Sequence, residues 1–358
     1  MYVNPIVQGI EISDIRKIHE KMQKYDNALN MSIGEPDIDA PVEVKESIAY
    51  HALNSTISYS PVGGMPELKE KIAKFYNEEF EGKFTSKNVL VTVGSTEGLS
   101  SVLKTTLAKG DEVIIPTPSY VGYEPLIRFL EAKTIFLDLK ENNFILTKDI
   151  LEKNVNEKTK MIILTYPNNP SGITLPEKEM EEIVEFLKDR DIYLLSDEIY
   201  ASIAFEKFTS FAKYYEKLQD KLIIISGFSK SHSMTGYRVG YIIANEKLQD
   251  QVKKISQYNV TSASTLSQYG AITALDKCSD TTELSEIYKK RVYYFIDELE
   301  KIGFKCLKPK GAFYVFATYE GIEKFKKMKS FDFAFDLLEK TGLAIVPGIT
   351  FQVEGYVR

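Results

Sequence analysis

The sequence predicts an α/β protein: a mostly parallel central sheet in a large domain, followed by a smaller α+β domain. Short apolar runs alternate repeatedly with amphipathic, charged stretches, the pattern of a parallel sheet covered by helices. The 358 residues, 44% of them hydrophobic, exceed what one small core requires. After about residue 264 the alternation gives way to a long charged helix and a different arrangement.

The runs at 89–93, 112–115, 161–164, 192–195 and 222–225 read as buried strands, because they are brief, mostly rich in β-branched residues and often bounded by Gly or Pro. Pro176 opens one of the intervening helices, whose core face is marked by the spacing of Ile183, Phe186 and Leu187. Beyond residue 264 a helix is expected over 282–302, a strand-like segment over 311–316 and a helix over 331–340. This divides the chain into an N-terminal segment, 1–40, packing with the small domain, a large domain, 41–280, and a small domain, 281–358. With no flexible Gly/Ser linker in between, a continuous helix is the expected hinge.

Fifty-one acidic and 45 basic residues give a net charge of -6 without a basic block, which disfavours nucleic acid as a partner. No apolar run approaches the roughly 20 residues of a membrane-spanning helix, and the first residues lack the layout of a signal peptide. A cytoplasmic location is expected. Cys278 and Cys306 lack the spacing of a disulfide framework or a zinc site and are expected to be buried thiols. His19, His51 and His232 are too scattered for a triad or a metal site; His232, close to Lys230, reads either as a pocket residue or as a structural one.

The chemistry concentrates in four segments. Ser226-Gly227-Phe228-Ser229-Lys230 follows the 222–225 strand, and Arg238 lies eight residues beyond the lysine. A lysine at the open end of a strand can be desolvated enough to form an imine, and an arginine fork suits a phosphate, so the pair points to an aldehyde cofactor carrying a phosphate. The bland alternative is a loop lysine and a structural arginine. Asp197 and Tyr200 close another strand; an aspartate can keep a pyridine nitrogen protonated, and a tyrosine can hydrogen-bond a phenolic oxygen. Gly94-Ser95-Thr96-Glu97-Gly98 opens a helix whose N-terminus can cradle a phosphate, although alone it reads equally as a helix cap. Asn169, within Tyr166-Pro167-Asn168-Asn169-Pro170-Ser171-Gly172, could reach the same phenolic oxygen, although such a segment is also an ordinary turn.

Together these motifs resemble the fold-type I, class I/II aminotransferases over about residues 12–358. The resemblance implies pyridoxal 5'-phosphate as cofactor, with Lys230 as its Schiff-base lysine, Asp197 beside the ring nitrogen, and Tyr200 and Asn169 flanking the phenolic oxygen. It also implies that Tyr120 stacks on the ring and that Ser95, Thr96 and Arg238 contact the phosphate. Gly34 would offer a backbone contact near the substrate, and Arg358 would fork onto the substrate α-carboxylate. Tyr59 would serve the phosphate site of a neighbouring subunit, making an obligate homodimer with composite sites. Gly227 stands where the family often has Ser or Thr, which leaves Ser226 or Ser229 to supply that hydroxyl. Relatives continue past the position of Arg358, and 351–355 reads a few residues short, so part of the natural chain is expected to be missing here.

Within the family, Ser229-Lys230-Ser231-His232-Ser233-Met234-Thr235-Gly236 and Gln257-Tyr258-Asn259-Val260 resemble the branch of bacterial N-acetyl-L,L-diaminopimelate aminotransferases of lysine biosynthesis, which also holds aspartate and aromatic aminotransferases. The implied reaction is ping-pong transfer of an amino group from an amino acid to a 2-oxo acid, 2-oxoglutarate being the expected acceptor, with Lys230 moving the α-proton. A C–S β-lyase on the same fold, or a non-catalytic regulator that binds the cofactor, are the competing readings.

Overall fold

The computed structural model describes residues 3–12, 14–25 and 27–358. Its central sheet comprises β1 (Val89–Thr92), β2 (Glu112–Thr117), β3 (Lys133–Asp138), β4 (Thr159–Thr165), β5 (Tyr193–Asp197), β6 (Leu222–Gly227) and β7 (Gly240–Ile243), in the order β1-β7-β6-β5-β4-β2-β3. Neighbours run parallel except that β7 is antiparallel to both β6 and β1. The five apolar runs of the sequence are all strands here. Two strands escape that reading: β3 is an edge strand with a single buried position and so carries no apolar run, and the four residues of β7 follow the glycine-bounded Arg238 segment directly.

Alternate side chains supply two separate cores, as the two-residue period of a strand demands. Ile114, Ile162, Leu164, Leu194 and Ile224 face one side with Ile183 and Val184 of the helix Glu177–Leu187. Val113, Ile115, Ile163, Leu195 and Ile225 face the other with Val102 and Leu103 of the helix Gly94–Thr106. Each fully buried Leu or Ile contributes roughly 1.5–3 kcal/mol, so the sheet is a rigid platform. The carboxyl ends of β1, β2, β4, β5 and β6 share one edge with the start of β7, and such an edge is where open α/β sheets bind ligands.

At that edge three backbones meet too closely for side chains. A Cβ on Gly227 would lie 2.9 Å from the Gly240 Cα, and one on Gly240 would lie 2.6 Å from the Ser95 nitrogen. Gly227 and Gly240 are register partners. Glycine at 227 is therefore a packing requirement, which explains why the Ser or Thr expected there is absent.

The C-terminal region departs from expectation twice. Residues 311–316 do not form a strand; Ala312 has φ of +61°, and the segment is held instead by an isolated bridge from Gly311 to Ala204 and by the Ala312 N–H donating to the Ile203 carbonyl. Nor is the junction a continuous helix, because Thr265–Lys277 and Thr282–Lys301 are separate. Between them Asp280 accepts from the Thr282 N–H at 2.9 Å, and the Thr281 hydroxyl donates to the Ser202 carbonyl, anchoring a turn. The three-stranded antiparallel sheet of Lys305–Cys306, Ala317–Thr318 and Tyr356–Val357 follows. Leu29–Asn30 pairs in parallel with Leu343–Ala344, and Ile18 packs with Leu338 and Ala344. Cys278 and Cys306 are partly exposed, not buried as expected. Among the described residues no helix is long and apolar enough to cross a membrane.

Glu198, next to Asp197, is fully buried. Its carboxylate accepts from the Ser196 and Ser210 hydroxyls at 2.9 and 2.6 Å and from the Phe211 N–H at 3.1 Å. It thereby ties residues 199–211, which carry Tyr200, back onto β5. Glu198→Ala would strand three buried donors and is expected to lose on the order of 2–4 kcal/mol of stability, while Glu198→Gln, which keeps the acceptor oxygen, loses much less. Urea unfolding measures both; equal midpoints for Ala and wild type would show that the network does not hold the loop.

Candidate active site

Lys230, Asp197, Tyr200, Asn169, Tyr120, Ser95, Thr96, Arg238, Gly34 and Arg358 all border one cavity of about 330 Å³ at the carboxyl edge of the sheet, and Tyr59 does not. Lys230 sits in the short helical turn after β6, and its Nζ donates to the Gly34 carbonyl at 2.5 Å. Burial pushes the Lys230 amine down to about 8; Arg358 and Arg238 act in the same direction and Glu35 opposes them. Gly34 is confined by the opposite wall, since a Cβ there would meet the Tyr314 hydroxyl at 2.2 Å.

Asp197 ends β5 and faces the cavity. One carboxylate oxygen accepts from the Ile199 N–H at 3.2 Å and the other from the Tyr123 hydroxyl at 2.7 Å. Burial still pushes the Asp197 carboxyl up to about 6, against the pull of both hydrogen bonds. Tyr120 follows β2 and packs edge-on against Tyr123 at 5.3 Å between ring centroids. The Tyr200 hydroxyl lies 2.6 Å from that of Tyr314, and burial raises both phenols above their usual range.

Arg358 is clamped by paired backbone hydrogen bonds with Val346, at 2.8 and 3.0 Å. Its guanidinium donates to Asn169 Oδ1 at 3.0 Å and to the Ser32 carbonyl at 2.6 Å, and lies 4.6 Å from the centre of the Tyr314 ring. The Asn169 oxygen is thus committed, which leaves its NH2 as donor to the cavity. Asn168 instead accepts from the Ser171 N–H and hydroxyl at 3.0 and 2.7 Å and holds the turn.

The remaining wall is the start of Gly94–Thr106, where Ser95 and Thr96 lie in the first turn, whose N–H groups lack intrahelical acceptors. Arg238 adopts a left-handed backbone, φ +52°, and its guanidinium lies over this turn, close enough that a Cβ on Gly94 would approach it to 2.5 Å. Of the two candidate serines, Ser229 borders the cavity, whereas Ser226 donates to the Glu198 carbonyl at 3.2 Å.

His232 takes the structural alternative: it is buried, pairs with Ser231 at 2.7 Å and with the Cys278 carbonyl at 3.0 Å, and burial pushes it down to about 4. Tyr59 stands apart, 88% exposed. The sequence reading omits Tyr123, Thr165 and Tyr314. Tyr123 was legible in part, three residues beyond Tyr120; Thr165 and Tyr314 sit in runs that look like plain strand.

Among the described residues, Asp197, Lys230, Arg238 and Arg358 form no ion pairs, and with Glu35, which borders the same cavity, three cations and two anions face a common space without pairing. Isolated charges at this depth are costly. The donor set fits a ligand with a phosphate, a carboxylate and a protonated ring nitrogen, and the glycine-lined helix start offers the phosphate a cradle.

Comparison with known proteins agrees. The family model described as aminotransferase class I and II matches residues 26–358. The chain is 38% identical to the probable N-acetyl-LL-diaminopimelate aminotransferase of Bacillus subtilis, over 99% of this chain and 90% of that protein. It is 33% identical to the aspartate aminotransferase of Pyrococcus horikoshii, over 98% of this chain and 90% of that one. The crystal structure of the aspartate aminotransferase from Rhizobium meliloti superposes with a TM-score of 0.95 at 27% identity, covering 100% of this chain and 93% of that one. With the fold, the cavity and the family match in agreement, this chain belongs to the class I and II aminotransferases.

Proposed function

We propose that this aminotransferase binds pyridoxal 5'-phosphate through Lys230 and moves the amino group of N-acetyl-L,L-diaminopimelate to 2-oxoglutarate, which becomes glutamate. The observation that carries the cofactor assignment is the set of unpaired charges around one cavity. The substrate assignment rests on the likeness to the Bacillus subtilis protein of that name.

When bound, the cofactor supplies an aldehyde for exchange with amines and a protonated ring that accepts electron density from the substrate. Asp197 holds the ring-nitrogen proton. Tyr200 and the Asn169 NH2 donate toward the phenolic oxygen, and Tyr120 covers the ring face. Ser95, Thr96, Ser229 and Arg238 hold the phosphate, and Arg358 forks onto the substrate α-carboxylate. Lys230 Nζ takes up the α-proton, oriented by the Gly34 carbonyl. Near pH 7 an amine with pKa about 8 is neutral in about one molecule in ten, against fewer than about one in a thousand for an ordinary lysine. In this reading the segment 1–40 packs with the small domain, 281–358, and the large domain, 41–280, carries the cofactor.

With 2-oxoglutarate as acceptor, glutamate should form fastest from N-acetyl-L,L-diaminopimelate when it is compared with aspartate and aromatic donors. Pyruvate released from a β-substituted amino acid with no acceptor, and no glutamate from any donor, would replace the reading with that of a lyase.

The lowered Lys230 amine also sets a pH dependence. The neutral form attacks the aldehyde, so cofactor capture by the apoprotein, followed by absorbance, should accelerate as pH rises and level off above about 8. A rate still climbing through pH 10 would mean that burial does not depress this amine.

Tyr59 is proposed to reach the neighbouring subunit of a homodimer, supported by its exposure together with that of Tyr50, Leu53 and Tyr258. In a two-fold dimer each subunit serves the other. A mixed dimer of a Tyr59→Phe subunit and a Lys230→Ala subunit has one site with Lys230, and that site faces an intact Tyr59 of its partner. Cofactor affinity there should equal wild type; an affinity equal to that of the Tyr59→Phe homodimer would place Tyr59 in its own subunit's site.

A further inference from the structure

From the hydrogen bonds around Asp197 we infer that Thr165, Tyr123 and Asp197 form a one-way relay, in which the two hydroxyls set how strongly Asp197 holds the proton of the cofactor ring nitrogen. The inference rests on the cofactor assignment above and extends it to two residues that carry no charge.

Proton counting fixes the direction. The Tyr123 hydroxyl lies 2.7 Å from Asp197 Oδ2 and 2.5 Å from Thr165 Oγ1. An ionised carboxylate only accepts, so the single phenolic proton goes to Asp197. The Thr165 hydroxyl must then donate to the Tyr123 oxygen. Successive donors of this kind polarise one another in a low-dielectric interior. Tyr123 is 1% exposed, so water does not readily substitute for its phenol, and Thr165, at the cavity wall, is 6% exposed.

Location separates this chain from ordinary core hydrogen bonding. Thr165 ends β4 and Asp197 ends β5, and the two are register partners on adjacent strands. Tyr123 reaches both from the first position of the helix Tyr123–Arg128, three residues after Tyr120. Oδ1 of Asp197 is held by the Ile199 N–H, so the carboxylate is fixed at both oxygens while still facing the cavity. A donor to the carboxylate weakens its basicity. It thereby leaves the proton on the ring nitrogen, where the ring can act as an electron sink. Tyr123 and Thr165 are thus positioning residues that act through Asp197.

The test uses holoenzyme loaded with pyridoxal 5'-phosphate labelled with 15N in the ring, in wild type, Tyr123→Phe, Thr165→Val and the double variant. Without its phenolic donor Asp197 becomes the stronger base, and the 15N resonance should move toward that of unprotonated pyridine in Tyr123→Phe. The shift should have the same sign and be smaller in Thr165→Val, and the double variant should match Tyr123→Phe alone, because Thr165 acts only through the phenol. Turnover should fall roughly tenfold or more in Tyr123→Phe, the scale of a lost hydrogen bond to a charged group. A resonance unchanged in either single variant, or additive shifts in the double variant, overturns the relay. Should Tyr123→Phe fail to fold, the Thr165→Val resonance decides alone. Failure of wild type to take up the cofactor would instead sink the underlying assignment, and the relay with it.

Discussion

The rest of this structure depends on keeping opposite charges apart inside a partly desolvated cavity. Lys230 and Asp197 border the same space; each would be stabilised by pairing with the other, and Asp197 equally by pairing with Arg238 or Arg358. Instead every one of them is tied to neutral groups: Lys230 to the Gly34 carbonyl, Asp197 to a phenol and a backbone N–H, Arg358 to an amide oxygen and a carbonyl. Burial moves Lys230 down and Asp197 up, each toward its neutral form. Such a site is unfavourable on its own and becomes favourable when a ligand brings complementary charge. The cost is met by a sheet whose two cores fix the strand ends, so that the charged groups cannot collapse onto one another.

Glycines set how closely the walls approach. Gly227 and Gly240 let β6, β7 and the start of Gly94–Thr106 converge on backbone contacts alone, and Gly34 leaves room for the Tyr314 hydroxyl. Arg238 then accepts a left-handed backbone that non-glycine residues adopt at a cost of order 1 kcal/mol or more, and so brings its guanidinium over the helix start. The wall formed by the helix start and Arg238 is therefore a product of three backbone segments that glycine allows to touch.

Legibility in the sequence follows the same physics. Strands buried on both faces announce themselves as apolar runs, which is why 161–164 and 222–225 were readable and the exposed edge strand Lys133–Asp138 was not. Charged residues that border the cavity from strand ends were readable because Lys, Asp and Arg are unusual beside such runs. Tyr314 was not, because its segment alternates like a strand, while Ala312 turns it by a positive φ and tertiary contacts with 203–205 hold it. The hinge was misread for a related reason. Helical pattern continues on both sides of 278–281, and only the bonds of Thr281 to Ser202 and of Asp280 to Thr282 show where the chain turns.

Tyr314 and Arg358 also explain how distant parts of the chain form one site. Arg358 belongs to the C-terminal region, Asn169 to the loop after β4, and Ser32 to the N-terminal segment, yet one guanidinium bonds to the latter two. Beneath it Tyr314 shares a hydrogen bond with Tyr200, whose loop is anchored through Glu198 to β5. Any carboxylate arriving at Arg358 would compete for N–H groups now given to Asn169 and Ser32. Its binding would change the contacts of the N-terminal segment and of the Asn169 amide at the cavity wall at the same time. Arg358 therefore joins the loop after β4 and the N-terminal segment at the cavity wall through one side chain, with no need for a separate signalling element.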